Sequence, residues 1–208
     1  MKMTKYIYLI LTVLFGAIVT MTSCTDDLNT TPLDKDEAVS DVVYGKEIGA
    51  YKSGLAKIYA GLAISGNKGG DDLSDVAGVD GGSQASFLRG LWNLQELPTD
   101  EAHCCWGDVG VNDFNTLTWN SSNVFIKGFY YRLFYQVNLA NAYLRETTDD
   151  KLSARGVEAD VKSEINILRA DARFMRALAY YYLLDMFRNV PFVTEESTVG
   201  KVAPEQIM

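Results

Sequence analysis

The chain has 208 residues, with 19 Lys plus Arg against 27 Asp plus Glu and a net charge of −8. Its make-up, 48% apolar, 12% aromatic and 22% charged, is that of a folded protein and excludes a disordered acidic tail. The acidic balance excludes recognition of nucleic-acid phosphates through a basic face, and one His with three Cys is too little for a His-rich metal centre or a disulfide scaffold.

Lys2 and Lys5 precede an uncharged run from Tyr6 to Met21. Its core, Ile7 to Val19, has the length of a signal-peptide apolar region and is short for a membrane span. Met21-Thr22-Ser23-Cys24 resembles the lipobox of bacterial lipoproteins, with Met21 where Leu is usual. The resemblance implies a signal peptide over 1–23, acylation of Cys24 and a flexible tether over 24–40. The competing readings are an uncleaved apolar anchor and a plain secretory signal with an incidental Cys. Acyl chains contribute about 0.8 kcal/mol per buried methylene. Cleavage would remove two lysines and no acid, so lipid rather than charge would hold the mature chain to a membrane. Thr25-Asp26-Asp27-Leu28-Asn29 resembles the acidic surface-export signal of Bacteroidetes lipoproteins and reads equally well as a solvated linker.

The next elements read as helices, and no alternating β pattern competes with them. Val43, Ile48, Tyr51, Leu55, Ile58, Tyr59 and Leu62 recur at helical steps and predict one amphipathic helix over Asp41 to Ala63. The glycine-rich stretch Gly66 to Gly82 predicts a loop; its Asp71, Asp72, Asp75 and Asp80 lack the order of a calcium loop. Phe87 to Gln95 predicts a short helix packing Leu88, Leu91 and Trp92. Glu96 to Asn123 is a long connection of the kind that carries function or moves. Ser121 or Ser122 is expected to cap a helix reaching Thr147, with Phe129, Leu133, Val137, Ala140 and Leu144 on one stripe. From Val157 to Phe187, the residues Ile165, Leu168, Ala172, Met175, Ala179, Tyr182 and Met186 form a heptad seam. Asn189, in a left-handed conformation, and Pro191 are expected to end that helix. The two long helices can pack as a hairpin, so the fold class is mainly α.

Few residues carry chemistry. Adjacent His103, Cys104 and Cys105 cannot easily present three ligands to one tetrahedral metal, and no second ligand pair completes a zinc site. No nucleophile turn accompanies the single His, and the neighbouring acids Asp100 and Glu101 do not lie across a bond as glycosidase acids do. The expectation is a protein without catalytic residues, metal or cofactor. Arg169, Arg173 and Arg176 form a basic ridge on the last helix, read as an inter-helix or solvated ion-pair face, with protein docking as the minority reading. Indole faces stack on sugar rings and also fill cores. Trp92 sits in an apolar run and reads as core. Trp106 and Trp119, beside Asp108, Asn112, Asp113 and Asn120, are the ligand-binding candidates.

Ile165 to Glu195, INILRADARFMRALAYYYLLDMFRNVPFVTE, resembles the signature of the SusD/RagB family. Arg169, Ala170, Ala172, Arg173, Phe174, Arg176, Ala177, Tyr181, Phe187, Val190 and Pro191 follow that signature. Asp171, Met175 and Arg188 stand for its Glu, Leu and Gly. Pro98-Thr99-Asp100-Glu101 and the pair Tyr135 and Asn141 resemble further family segments. The resemblance implies tetratricopeptide-like helix pairs with long irregular loops. It also implies a lipid-anchored protein of an outer membrane, on the cell surface. Its partners would be a glycan or other nutrient and a SusC-like TonB-dependent transporter. Family members are usually more than twice as long, so 41–208 reads as the N-terminal helical-repeat portion, incomplete at its C-terminus. The alternative functions are a helical-repeat scaffold for an envelope complex and a non-functional truncated fragment.

Overall fold

A computed structural model of the chain describes residues 39–66, 74–76, 79–81 and 86–197. The proposed signal peptide, Cys24 and the tether up to residue 38 lie outside the described residues, as do residues 198–208. The chain divides into two units, Met1–Val42 and Val43–Met208. Of the first, residues 39–42 are described; they begin a single helical turn, α1 (Ser40–Val43).

The second unit carries α2 (Ile48–Ala60), α3 (Phe87–Glu96), α4 (Asn112–Thr116), α5 (Val124–Glu146), α6 (Asp149–Ala154) and α7 (Ala159–Phe187). The fold is mainly α, as expected, and among the described residues every extended regular element is a helix. None of these helices is long and apolar enough to cross a membrane.

The hairpin of α5 and α7 is the spine. On α5, Phe129, Leu133, Val137, Ala140 and Leu144 are all fully buried. On α7 the seam residues Ile165, Ala172, Met175 and Ala179 are buried, with Leu168, Tyr182 and Met186 half-buried. The alanines let the two backbones approach, and the aromatic ends fill the wider space. α2 lays Tyr51, Leu55 and Ile58 against both long helices, and α3 packs on α5.

The single helix expected over Asp41 to Ala63 is interrupted at Tyr44–Glu47. Gly45 favours leaving the helix, and the turn seats the Tyr44 ring 5.3 Å from Tyr51 and 6.4 Å from Tyr143. The Tyr51 hydroxyl donates to the Gly45 carbonyl at 3.0 Å, satisfying a group the interrupted helix leaves open. In the glycine-rich stretch, Asp75 is ion-paired to Lys57 of α2 at 2.6 Å.

Two expectations for α3 are corrected. Phe87, Gly90 and Asn93 face inward, while Leu88 and Trp92 are exposed, Trp92 at 47%. Gly90 is the reason: the Phe129 ring lies where a β-carbon would sit, and that contact fixes which side of α3 turns in. The cap of α5 is Asn123 rather than either serine; its Oδ1 accepts from the N–H groups of Phe125 (3.0 Å) and Ile126 (3.3 Å).

The arginine ridge of α7 is an inter-helix device. Arg169 donates to the Leu144 carbonyl (2.8 Å) and to the Thr147 hydroxyl (2.7 Å), closing the C-terminus of α5 where positive charge suits the helix dipole. Arg176 donates to Asn141 Oδ1 at 2.6 Å and pairs with Glu195, with Arg173 at 3.9 Å from the same carboxylate. These contacts strap residues 190–197 back over the hairpin. The Tyr180 hydroxyl donates to the Val193 carbonyl (2.9 Å) and accepts from its N–H (2.7 Å), and Asn141 Nδ2 donates to the same carbonyl at 3.1 Å. The left-handed residue after α7 is Arg188, φ 61, not Asn189.

Candidate ligand-binding groove

The long connection from Leu97 to Asn123 is pinned from inside. Leu97, Val111, Phe114 and Phe125 form a small buried cluster. Asn115 donates its amide to the carbonyls of Leu97 (3.1 Å) and Ala102 (3.2 Å), drawing the two arms of the loop together. Asn123 donates to the Gly110 carbonyl (2.8 Å) and to Asp113 (3.0 Å), so the residue that caps α5 also holds the loop. Gly110 has φ 93, and a β-carbon there would come within 2.9 Å of the Asn123 amide, so a side chain is excluded on both counts. Leu117, with φ 56, ends α4 and turns the chain outward.

After that turn, Trp119 lies with its ring 6.0 Å from Phe114 at an interplanar angle of 36°. Phe114 is buried, whereas Trp119 keeps 41% of its surface exposed. Both rings line a groove of about 600 Å³, the indole as its more exposed aromatic. The end of α3 contributes Leu94 and Gln95 to the groove, and Pro98 follows just beyond it. The long connection adds Phe114, Trp119, Asn120 and Ser121, α5 adds Ile126, and the end of α7 adds Asp185, Met186 and Phe187. Gln95 Nε2 donates to Asp185 Oδ2 at 3.1 Å across the ends of α3 and α7. Aromatic area beside a few fixed polar groups suits the apolar face and hydroxyl rim of a sugar.

The two tryptophan candidates are in different settings. Trp106 is 59% exposed, does not line the groove, and has the Arg89 guanidinium 4.2 Å from its ring centre, a cation–π contact that occupies one face. Cys104 is half-buried beside the Phe114–Phe125 cluster, Cys105 is exposed, and both are free thiols. Among the described residues no group of three or more His, Cys, Asp or Glu is arranged to hold a metal ion. The Thr99 hydroxyl donates to the Glu96 carbonyl (2.6 Å) and accepts from the Glu101 N–H (3.2 Å), which assigns this segment a turn-forming role.

Tyr135 and Asn141 both serve the scaffold. Asn141 is fully buried in the strap described above. Burial first, then the Asp75 charge, raises the Tyr135 hydroxyl above its ordinary pKa. Burial raises the Glu195 carboxyl, but the hydrogen bond from Arg176, a backbone hydrogen bond and the two arginine charges outweigh it, so the pKa lies below the ordinary value. Sequence reasoning missed Phe114, Gln95 and Asp185 as groove residues. Phe114 could have been found from its position five residues before an aromatic loop candidate, but nothing local joins Gln95 to Asp185.

No family model matches the chain. Over 192 residues it is 32% identical to the starch-binding protein SusD of Bacteroides thetaiotaomicron, an alignment that covers 91% of this chain and 31% of that protein. The chain thus spans under a third of the length of the curated relative it matches.

Proposed function

We propose, from the premise that this chain belongs to the SusD-like family, that it is the glycan-capturing part of a surface lipoprotein that delivers its ligand to a SusC-like TonB-dependent transporter. The observation that carries this reading is the 32% identity to a starch-binding protein over nearly the whole chain. The groove lined by Trp119 supports it, because a part-exposed indole beside Phe114 offers apolar aromatic surface next to hydrogen-bonding groups. The capture needs no covalent step. A sugar stacks on the exposed indole, its hydroxyls exchange hydrogen bonds with water for bonds with the protein, and release reverses both.

The N-terminal segment fits the same reading. A signal peptide over 1–23, an acylated Cys24 and a tether to residue 40 would hold a helical domain beginning at 41 close to an outer-membrane transporter. The relative's name makes an α-glucan the first ligand to test. Saturation-transfer NMR with maltooligosaccharides detects even millimolar binding, and co-purification with a SusC-like transporter tests delivery. Glycan binding together with co-purification supports the proposal; co-purification without saccharide binding replaces it with a scaffolding role; neither result sinks both. Palmitate labelling of the full chain, lost in Cys24→Ala, tests the anchor, and labelling that persists in that variant removes it.

A further inference from the structure

We propose that the outer face of α7 is a self-pairing surface through which two copies of this chain associate, helix against antiparallel helix, about a two-fold axis. This goes beyond glycan capture and does not depend on it.

α7 carries two apolar seams. The first, from Ile165 to Met186, faces α5 and α2. The second is Ile167, Ala170, Phe174, Ala177, Tyr181 and Leu184, again at steps of three and four. Each of its members stands two residues after a member of the first, and two residues turn a helix by about 200°, so the seams lie on opposite sides. A surface helix needs one apolar stripe, whereas a second, opposite stripe suits a helix packed on both sides. The second seam is bare: Ile167 is 64% exposed, Phe174 62%, Tyr181 60% and Leu184 46%, and both alanines are exposed. The strap of residues 190–197 is tied instead to Arg176, Tyr180 and Asn141.

The order of side-chain sizes says what fits this seam. When a reversed copy is set so that Phe174 meets Ala177 of the second copy, Ala170 meets Tyr181 and Ile167 meets Leu184, because all three pairs share one centre between Met175 and Arg176. Every ring then faces an alanine, branched aliphatic residues close both ends, and the two-fold axis repeats each contact. Charge does not oppose the register. Asp185 falls opposite Asn166 and Arg173 opposite Leu178, and no charged residue of α7 directly faces another. Because the seam lies opposite the core, the two bodies sit on the outer sides of the pair.

The area sets the strength. Aromatic side chains carry roughly 150–250 Å² each, so Phe174 and Tyr181 leave about 180–300 Å² open per copy. Ile167, Leu184 and the alanines bring this to roughly 400–500 Å², or about 800–1,000 Å² for both copies. A permanent assembly buries roughly 1,200–2,000 Å², so the contact is a reversible dimer with a Kd of about 10–100 μM.

The test is sedimentation of the full chain from about 1 to 200 μM, with every variant's fold checked by circular dichroism; the substituted positions are exposed, so the helix tolerates them. Wild type should pass from monomer to dimer across this range. Phe174→Ala, which leaves a hole unfilled, and Ala177→Phe, which sets ring against ring, should each weaken association about tenfold or more. The double variant exchanges ring and alanine across the same contact and should recover wild-type association to within about threefold. Tyr181→Lys should leave the chain monomeric. A wild-type chain that stays monomeric at about 200 μM overturns the proposal. Association indifferent to Tyr181→Lys places the contact in another segment and also overturns it. No recovery in the double variant overturns the register, and species larger than a dimer overturn the closed two-fold.

Discussion

Arg188 stands where the family signature has Gly, and the structure shows what that departure does. Its backbone has φ 61 and ψ −72, and the Asn189 N–H donates to the Phe187 carbonyl at 2.7 Å. That is a γ-turn with its central residue on the rare, strained side of the map. A β-carbon held there costs roughly 1–3 kcal/mol, whereas glycine adds about 0.4–1 kcal/mol of freedom to the unfolded chain. The Arg188 side chain is exposed, and its N–H bond to the Leu184 carbonyl (3.0 Å) would survive in glycine. Arg188→Gly should therefore stabilise the chain by about 0.5–2 kcal/mol, and each kcal/mol raises the melting midpoint by roughly 2–4 °C at this size. Arg188→Ala keeps the β-carbon while removing the charge, and should stay within about 0.5 kcal/mol of wild type. Urea unfolding followed by circular dichroism compares the three. Arg188→Gly no more stable than Arg188→Ala would refute the strain argument. The turn persists in the native chain because it aims Val190, fully buried, into the cluster around Leu183 and starts the strap held by Tyr180.

Asn123→Ala removes the α5 cap and the ties to Gly110 and Asp113 at once; unfolding should show a loss of about 2–4 kcal/mol, and a loss below 1 kcal/mol would mean the loop is held elsewhere. Gly90→Ala gains about 1 kcal/mol of helix propensity but drives a methyl into the buried Phe129 ring, a conflict of about 1–3 kcal/mol, so the variant should be no more stable than wild type and up to about 2 kcal/mol less. Glu195 has a depressed pKa in the folded chain. Its contribution is therefore full above the ordinary carboxylate value and is lost as pH falls through the lower folded value. The stability difference between wild type and Glu195→Gln should shrink from pH 7 toward pH 3, and a constant difference would show that the carboxylate's ion pairs contribute nothing.

Sequence periodicity could locate the α5–α7 hairpin because both helices are long enough for a seam to repeat several times. On α7 the alternation of three and four from Ile165 to Met186 leaves one face to bury, and that face turns inward, with four of its seven residues buried and three half-buried. α3 is only ten residues long, and there the same reasoning chose the wrong side. Leu88, Leu91 and Trp92 look like a stripe, yet the decision rests on Gly90, which carries no hydropathy signal and acts by having no side chain at all. The interruption before α2 escaped for a related reason: the rings of Tyr44, Tyr51 and Tyr143 reward a turn that no local pattern announces.

The groove was legible only in part. Trp106 and Trp119 share one loop and similar polar neighbours, so their sequences do not separate them. Their settings differ because the loop is folded by Asn115 and Asn123, which bind carbonyls far along the chain, and because Leu117 turns the backbone through a left-handed residue. That turn brings Trp119 onto Phe114, while Trp106 is left beside Arg89. Asp185 joins them only because α7 ends against the end of α3, where Gln95 meets it ninety positions earlier in the chain. An aromatic groove residue can thus be guessed from residue type, but the carboxylate beside it is supplied by the packing of two helix ends. The groove is thus a product of tertiary packing, assembled where the ends of α3 and α7 meet a loop folded by its own asparagines.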